Sequence, residues 1–264
     1  MFRSLRKERS RVVKAFVSWS GGKDSALACY RMMKQPGIEV AFLLNMLAEN
    51  GEYSCSHGLR ASLLQEQAKA MAPMPIHRRA AEIGAIPTTV HQKKIKVGMG
   101  IPILQRSASR KDYEKEFKRA ISDLKAQDVR AGIFGDIDLQ AHRDWIERVC
   151  RERGIEVFFP LWEAPREALL EEFISAGFKS RIVATHPASL GPEWLGCEID
   201  RDFMRKIKAL PHIDPCGEKG EYHTFVYDGP MFYFPVSFYE EDCVMIEKHW
   251  ILRLGAGIRQ KVRG

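Results

Sequence analysis

The chain has 264 residues, 45% of them hydrophobic and 28% charged, the balance of a folded globular protein with one large or two small domains. No apolar run approaches the ~18 residues of a membrane-spanning helix, and the core available at this length needs no disulfide or metal staple, so a membrane partner, a coiled coil, collagen and wholesale disorder are excluded. The net charge of +7 sits at the ends: residues 1–14 carry +5 and residues 251–264 carry +4, which leaves −2 for everything between.

Charge confined to two tails reads as solvated ends rather than a nucleic-acid footprint, so no nucleic-acid partner is expected. Residues 1–11 read as a basic tail, since no apolar stretch of about 7–15 residues precedes a small-residue cleavage site. The six cysteines are Cys29, Cys55, Cys150, Cys197, Cys216 and Cys243. No two lie close enough for a zinc knuckle, and reduced thiols in a cytoplasmic protein are the expectation.

In chain order, residues 12–18 form a β-favouring run that ends in Gly21-Gly22, and residues 24–34 read as a helix stopped by Pro36-Gly37. Residues 38–47 suit a buried strand, 58–71 a helix, and 75–79 a third strand. Residues 80–110 mix glycine, proline and basic side chains without a period and read as an insertion or lid over the site. Residues 112–126 place Tyr113, Phe117, Ala120, Ile121 and Leu124 on one face of a helix. A strand at 131–135, a helix at 139–153 and a strand at 155–160 follow. This alternation predicts an α/β fold, a Rossmann-like parallel sheet with helices on both faces. After residue 165 the pattern changes: a helix at 167–176, a strand at 180–185, a helix at 199–208, then an aromatic, β-rich run from Tyr222. The division is therefore a nucleotide-binding domain at 12–165 and a smaller α+β C-terminal substrate domain at 166–264. The run 225–239 reads as core or as the surface of a homodimer.

The run Ser20-Gly21-Gly22-Lys23-Asp24-Ser25 follows a strand and opens a helix. A helix start offers unpaired N–H groups and a partial positive charge. Adjacent glycines let an anion approach the backbone, the two serines add hydroxyl donors, and Lys23 adds a charge. Asp24 suits Mg²⁺ bridging phosphates. The run is not a Walker A loop, for GxxxxGK[ST] occurs nowhere in the chain.

This run resembles the PP-loop of the N-type ATP pyrophosphatases, which split ATP between the α- and β-phosphates and hold the departing pyrophosphate on that loop. Gly135-Asp136-Ile137, Pro160-Leu161-Trp162 and, above all, the stretch from Asp214-Pro215-Cys216-Gly217-Glu218 through Gly220-Glu221-Tyr222-His223-Thr224-Phe225 resemble the signatures of the diphthine–ammonia ligase family and its prokaryotic relatives. Lys219 stands where that family has glycine, and residues 80–110 exceed the corresponding segment of typical members.

The resemblance implies an ATP-dependent, AMP-forming amide ligase with ATP and Mg²⁺ as cofactors and ammonia as nitrogen donor. The acceptor would be diphthine on elongation factor 2 or another carboxylate. It implies a nucleotide site of Ser18, Ser20, Gly21, Gly22, Lys23, Asp24, Ser25, Gly135 and Asp136, with Asp24 and Asp136 toward the metal. The acceptor side would draw on His57, Cys216, Gly217, Glu218 and Glu221, and catalysis on Lys23, Asp24, Glu218, Glu221 and His223. Each has a plainer alternative: Asp136 as a helix cap, His57 as a surface imidazole, Cys216 as a structural thiol, the 214–223 loop as a turn before a strand. A PP-loop tRNA-modifying enzyme and a non-enzymatic adenine-nucleotide sensor are the other functional alternatives.

Overall fold

The computed structural model describes residues 12–72 and 100–257. The strand expected at 75–79, the tail at 1–11 and most of the proposed lid lie outside them.

The parallel sheet consists of β1 (Val13–Ser18), β2 (Ile38–Leu47), β3 (Ile103–Ser107), β4 (Ala131–Ile133) and β5 (Glu156–Phe158), in the order β3-β2-β1-β4-β5. Alternation along β1 shows why both faces are covered. Ala15 and Val17 point into one core, shared with α1 (Lys23–Met33) and α2 (Ala61–Ala70). Phe16 points into the other, shared with α3 (Tyr113–Ala126) and α4 (Gln140–Glu152). In α3 the buried side chains are Phe117, Ala120, Ile121 and Leu124, the apolar stripe expected from the sequence.

One expectation is corrected here. Ile103–Ser107, assigned above to the insertion, is edge strand β3, paired in parallel with Leu43–Leu47 of β2. Its side chains are only half-buried, so it lacks the apolar signature of a central strand.

Beyond β5 come α5 (Arg166–Ser175), β6 (Lys179–Thr185), α6 (Arg201–Lys208), β7 (Tyr222–Asp228), β8 (Phe238–Ile246) and β9 (His249–Ala256). The four strands form an antiparallel sheet in the order β7-β6-β9-β8. This half has no core of its own: Leu169, Phe173, Ile182, Phe225 and Phe232 belong to the same buried cluster as Ala15, Leu27 and Leu63. Main-chain bonds close the seam, with Ala72 N–H donating to the Met231 carbonyl at 2.7 Å and Tyr233 N–H to the Ala70 carbonyl at 2.8 Å. Among the described residues no helix is long and apolar enough to cross a membrane.

Candidate active site

The strand order turns back between β1 and β4, and open α/β sheets bind ligands at the carboxyl ends of strands beside such a point. A cleft of about 630 Å³ opens there. Ser18, Ser20, Lys23, Asp24 and Ser25 reach it from the end of β1 and the start of α1, Gly135 and Asp136 from the end of β4, and Gly217, Glu218, His223 and Thr224 from the second half of the chain. His57 reaches it from the segment before α2. The structure thus brings the loop, the β4 residues and residues from the 217–223 stretch together at one cleft, though they lie far apart in the chain.

The loop is held in shape from several sides. Gly21 adopts φ +84°, a conformation that favours glycine. Its carbonyl accepts from the Val226 N–H at 2.9 Å and from Gln67 Nε2 at 3.0 Å. The Ser20 and Ser25 hydroxyls lie 3.1 Å apart, and the Gly22 N–H donates to Ser20 Oγ at 3.3 Å. Gly22 caps α1 with no side chain. The first helical N–H, that of Lys23, donates instead to Thr224 Oγ1 at 2.9 Å. Sequence reasoning did not single out Gln67, and it quoted Thr224 only within the 214–225 signature, without a role. Gln67 lies 159 residues from its Val226 partner and Thr224 lies 201 residues from Lys23, and no local pattern announces such pairs.

Lys23 is buried, and its ammonium donates to both carboxylate oxygens of Asp24, at 2.8 and 2.7 Å, and to the Cys216 carbonyl. Burial works against its charge, but Asp24 beside it prevails and holds the ammonium protonated. Lys23 therefore ties the loop to the 214–223 loop while it lines the cleft. Asp136 has a raised pKa, through burial first, opposed by His142 at 3.3 Å and reinforced by the charge of Asp24. Two carboxylates that repel across a cleft suit a divalent cation. Among the described residues no group of three or more His, Cys, Asp or Glu forms a metal cage. Two protein carboxylates completed by phosphates and water are what Mg²⁺ takes in nucleotide sites, so Asp24 and Asp136 fit it.

Glu218 accepts from the Ile137 N–H at 3.1 Å. Burial lifts its pKa to about 7, partly offset by that bond and reinforced by Asp24 and Asp136. The His57 and His223 rings lie 4.6 Å apart, and burial holds both below the ordinary imidazole value, His223 well below. His57 Nδ1 lies 3.0 Å from the Thr224 carbonyl, so that nitrogen carries the hydrogen.

Other expected residues stand back from the cleft. Glu221 is buried and spends its oxygens on the Asp214 and Lys219 N–H groups, both at 3.1 Å; it shapes the loop. The Cys216 thiol donates to the Arg166 carbonyl at 3.2 Å, and burial pushes its pKa up to about 12, so it remains a neutral structural group. Conversely, Tyr113 and Phe117, placed above on the apolar face of a helix, also line the cleft, beside Phe134 and Trp145. Their mutually packed rings form an apolar end suited to a purine.

The sheet order, the glycine loop and the cleft above it define a PP-loop ATP pyrophosphatase domain. The family models for the diphthamide synthase N-terminal domain and C-terminal domain match residues 13–83 and 87–157, and residues 165–262, respectively. The chain belongs to the diphthamide synthase family. It is similar to diphthine–ammonia ligase of Bos taurus, 27% identical over 227 residues, covering 81% of this chain and 78% of that protein. The Homo sapiens protein of the same name is 26% identical with the same coverage. The Schizosaccharomyces pombe protein is 24% identical over 217 residues, and the match takes in 34% of its length. Among solved structures, a predicted subunit of a tRNA methyltransferase from Methanocaldococcus jannaschii aligns over 81% of this chain and 95% of its own, at 15% identity and a TM-score of 0.38.

Proposed function

We propose that this chain is an ATP-dependent, AMP-forming amide ligase that condenses a substrate carboxylate with ammonia, with diphthine on elongation factor 2 as the acceptor. The observation that carries the reading is the meeting of the Ser20–Ser25 loop, Asp24, Asp136 and the partly protonated Glu218 around one cleft. The relatives' shared name supports the acceptor.

The purine sits among Tyr113, Phe117 and Trp145, with the phosphates toward the loop. Asp24 and Asp136 would hold Mg²⁺, and the ion would supply neutralisation of phosphate charge. The acceptor carboxylate oxygen bonds to the α-phosphorus while the bond to the β-phosphate oxygen breaks. Pyrophosphate leaves into the loop, where the start of α1 and the serine hydroxyls receive its charge. Ammonia nitrogen then bonds to the acyl carbon, and AMP departs with the electron pair of the acyl–oxygen bond. Ammonium must lose a proton before it attacks, and the new amide nitrogen sheds another to solvent. Glu218, poised near neutrality at the cleft, accepts the first. The rest of the contribution is positioning.

The test supplies the purified chain with Mg-ATP, ammonium and diphthine-bearing elongation factor 2, beside an Asp24→Ala control, and follows nucleotides by mass spectrometry. Equal AMP and pyrophosphate, stimulated by ammonium and lost in the control, are expected. ADP and phosphate as products would overturn the reading.

A further inference from the structure

Arg166 opens α5 where the two halves of the chain meet, and it takes no part in the chemistry above. Its side chain holds two loops at once. Nη2 lies 2.8 and 2.7 Å from the two carboxylate oxygens of Asp138, in the turn after β4. Nε lies 2.7 Å from Oδ2 of Asp214, which opens the 214–223 loop. The Arg166 carbonyl adds a third tie, to the Cys216 thiol. A planar guanidinium fixes the distance and the angle between two carboxylates, as an ammonium on a flexible stem does not.

The two loops carry groups that meet at the cleft. Asp138 follows Asp136 and Ile137, and the Ile137 N–H is the donor that holds Glu218. The Ile137 carbonyl accepts from the Glu163 N–H at 2.7 Å, so Ile137 is gripped at both ends. Asp214 is buried, and its Oδ1 accepts from the Cys216 N–H at 2.8 Å, two residues before Glu218. Lys23 ties that loop to the phosphate loop through the Cys216 carbonyl. Arg166 ties it to the β4 side, with a charged pair on each arm. Asp138, Arg166 and Asp214 do not themselves line the cleft, so any effect they have on the chemistry passes through Ile137 and Glu218.

We propose that Arg166 is a positioning residue: through Asp138 and Asp214 it fixes the turn after β4 against the 214–223 loop, and so sets where the Glu218 carboxyl stands relative to the nucleotide. The consequence for catalysis rests on the amide-ligase reading. The fixed spacing of the two loops does not.

Two variants test this. Asp138 is 39% exposed, so Asp138→Ala cuts one arm and spares the buried pair with Asp214. Arg166→Lys keeps a positive charge beside Asp214, whose loss would strand a buried carboxylate, but gives up the fork. In both, amide exchange at Ile137, followed by NMR, is expected to quicken about tenfold, with Phe173 inside α5 unchanged as control. Ammonium-dependent AMP formation should fall about tenfold in kcat, with calorimetric affinity for α,β-methylene ATP unchanged. The Glu218→Gln/Asp138→Ala double variant should be no slower than Glu218→Gln alone. Unchanged exchange at Ile137, a loss that appears as nucleotide affinity instead of kcat, or slowing that adds to that of Glu218→Gln would each overturn the proposal. Quickened exchange at Ile137 in a protein whose wild type forms no AMP would uphold the tie and sink the ligase reading. AMP formation with Ile137 exchange unchanged would do the reverse.

Discussion

Gly135 has no space for a side chain: a Cβ there would lie 2.9 Å from the Asp24 carbonyl carbon and the Ser25 nitrogen. Gly135→Ala must push the start of α1 away from β4, and we expect ATP affinity to fall about tenfold, read by calorimetric titration. Glu218 gives a sharper test because its effect on stability appears only as pH rises. The native carboxyl keeps its proton up to about 7, against an ordinary value of 4.5. The folded state thus binds more protons than the unfolded one between those values, and stability from this group falls as pH rises through them. Glu218→Gln keeps an acceptor for the Ile137 N–H and removes the charge. In the nucleotide-free protein its melting temperature should match wild type near pH 4.5 and exceed it at pH 8. The same variant should slow ammonium-dependent AMP formation about a hundredfold and flatten its rise near pH 7. Such residues were legible to different degrees. Asp136 and Glu218 were named through the family resemblance and their places at a strand end and in a glycine-flanked loop, with a helix cap and a structural turn as the plainer readings. Glu221 looked the same in sequence, and only its two N–H partners reveal a loop scaffold.

Strand β7 is the element that completes the phosphate loop. Thr224 supplies the cap that Gly22 lacks, and Val226 holds the Gly21 carbonyl. Thr224→Val keeps shape and β-propensity but leaves the buried Lys23 N–H without its acceptor, a loss of about 1–3 kcal/mol measurable by urea denaturation. Nucleotide affinity should drop in parallel, since the same N–H opens the helix at the cleft. Elements with a strong period were readable: α3 buries the expected stripe, and β1 divides its side chains between two cores. Strand β3 was not. The sequence ILQRS at an edge needs only one neighbour and half-burial, and that leaves no apolar run to detect.

At the scale of the whole molecule, two half-buried imidazoles set an acid limit. His57 and His223 stay neutral in the fold below the pH at which the unfolded chain takes up protons. Stability from them is complete above about pH 6.5 and lost as pH falls below it. His223→Gln should reduce the drop in melting temperature between pH 7 and pH 5, seen by circular dichroism. The parallel order of the first half followed from its alternating helices and strands. What no local pattern could announce is that the second half shares the first half's core, because shared burial is a property of pairs remote in sequence.

The seam between the halves makes ATP affinity and folding a single thermodynamic quantity. The Gly21 carbonyl and Lys23 N–H are fastened to β7, so a nucleotide that orders the loop also clamps the two halves. By reciprocity, whatever strengthens the clamp tightens the nucleotide. ATP at a hundred times its dissociation constant would contribute about 2.7 kcal/mol to global stability. Substitutions at β7 positions outside the cleft, such as Val226, would then be selected as affinity variants, and the cell's energy charge would set how much of this protein escapes proteolysis.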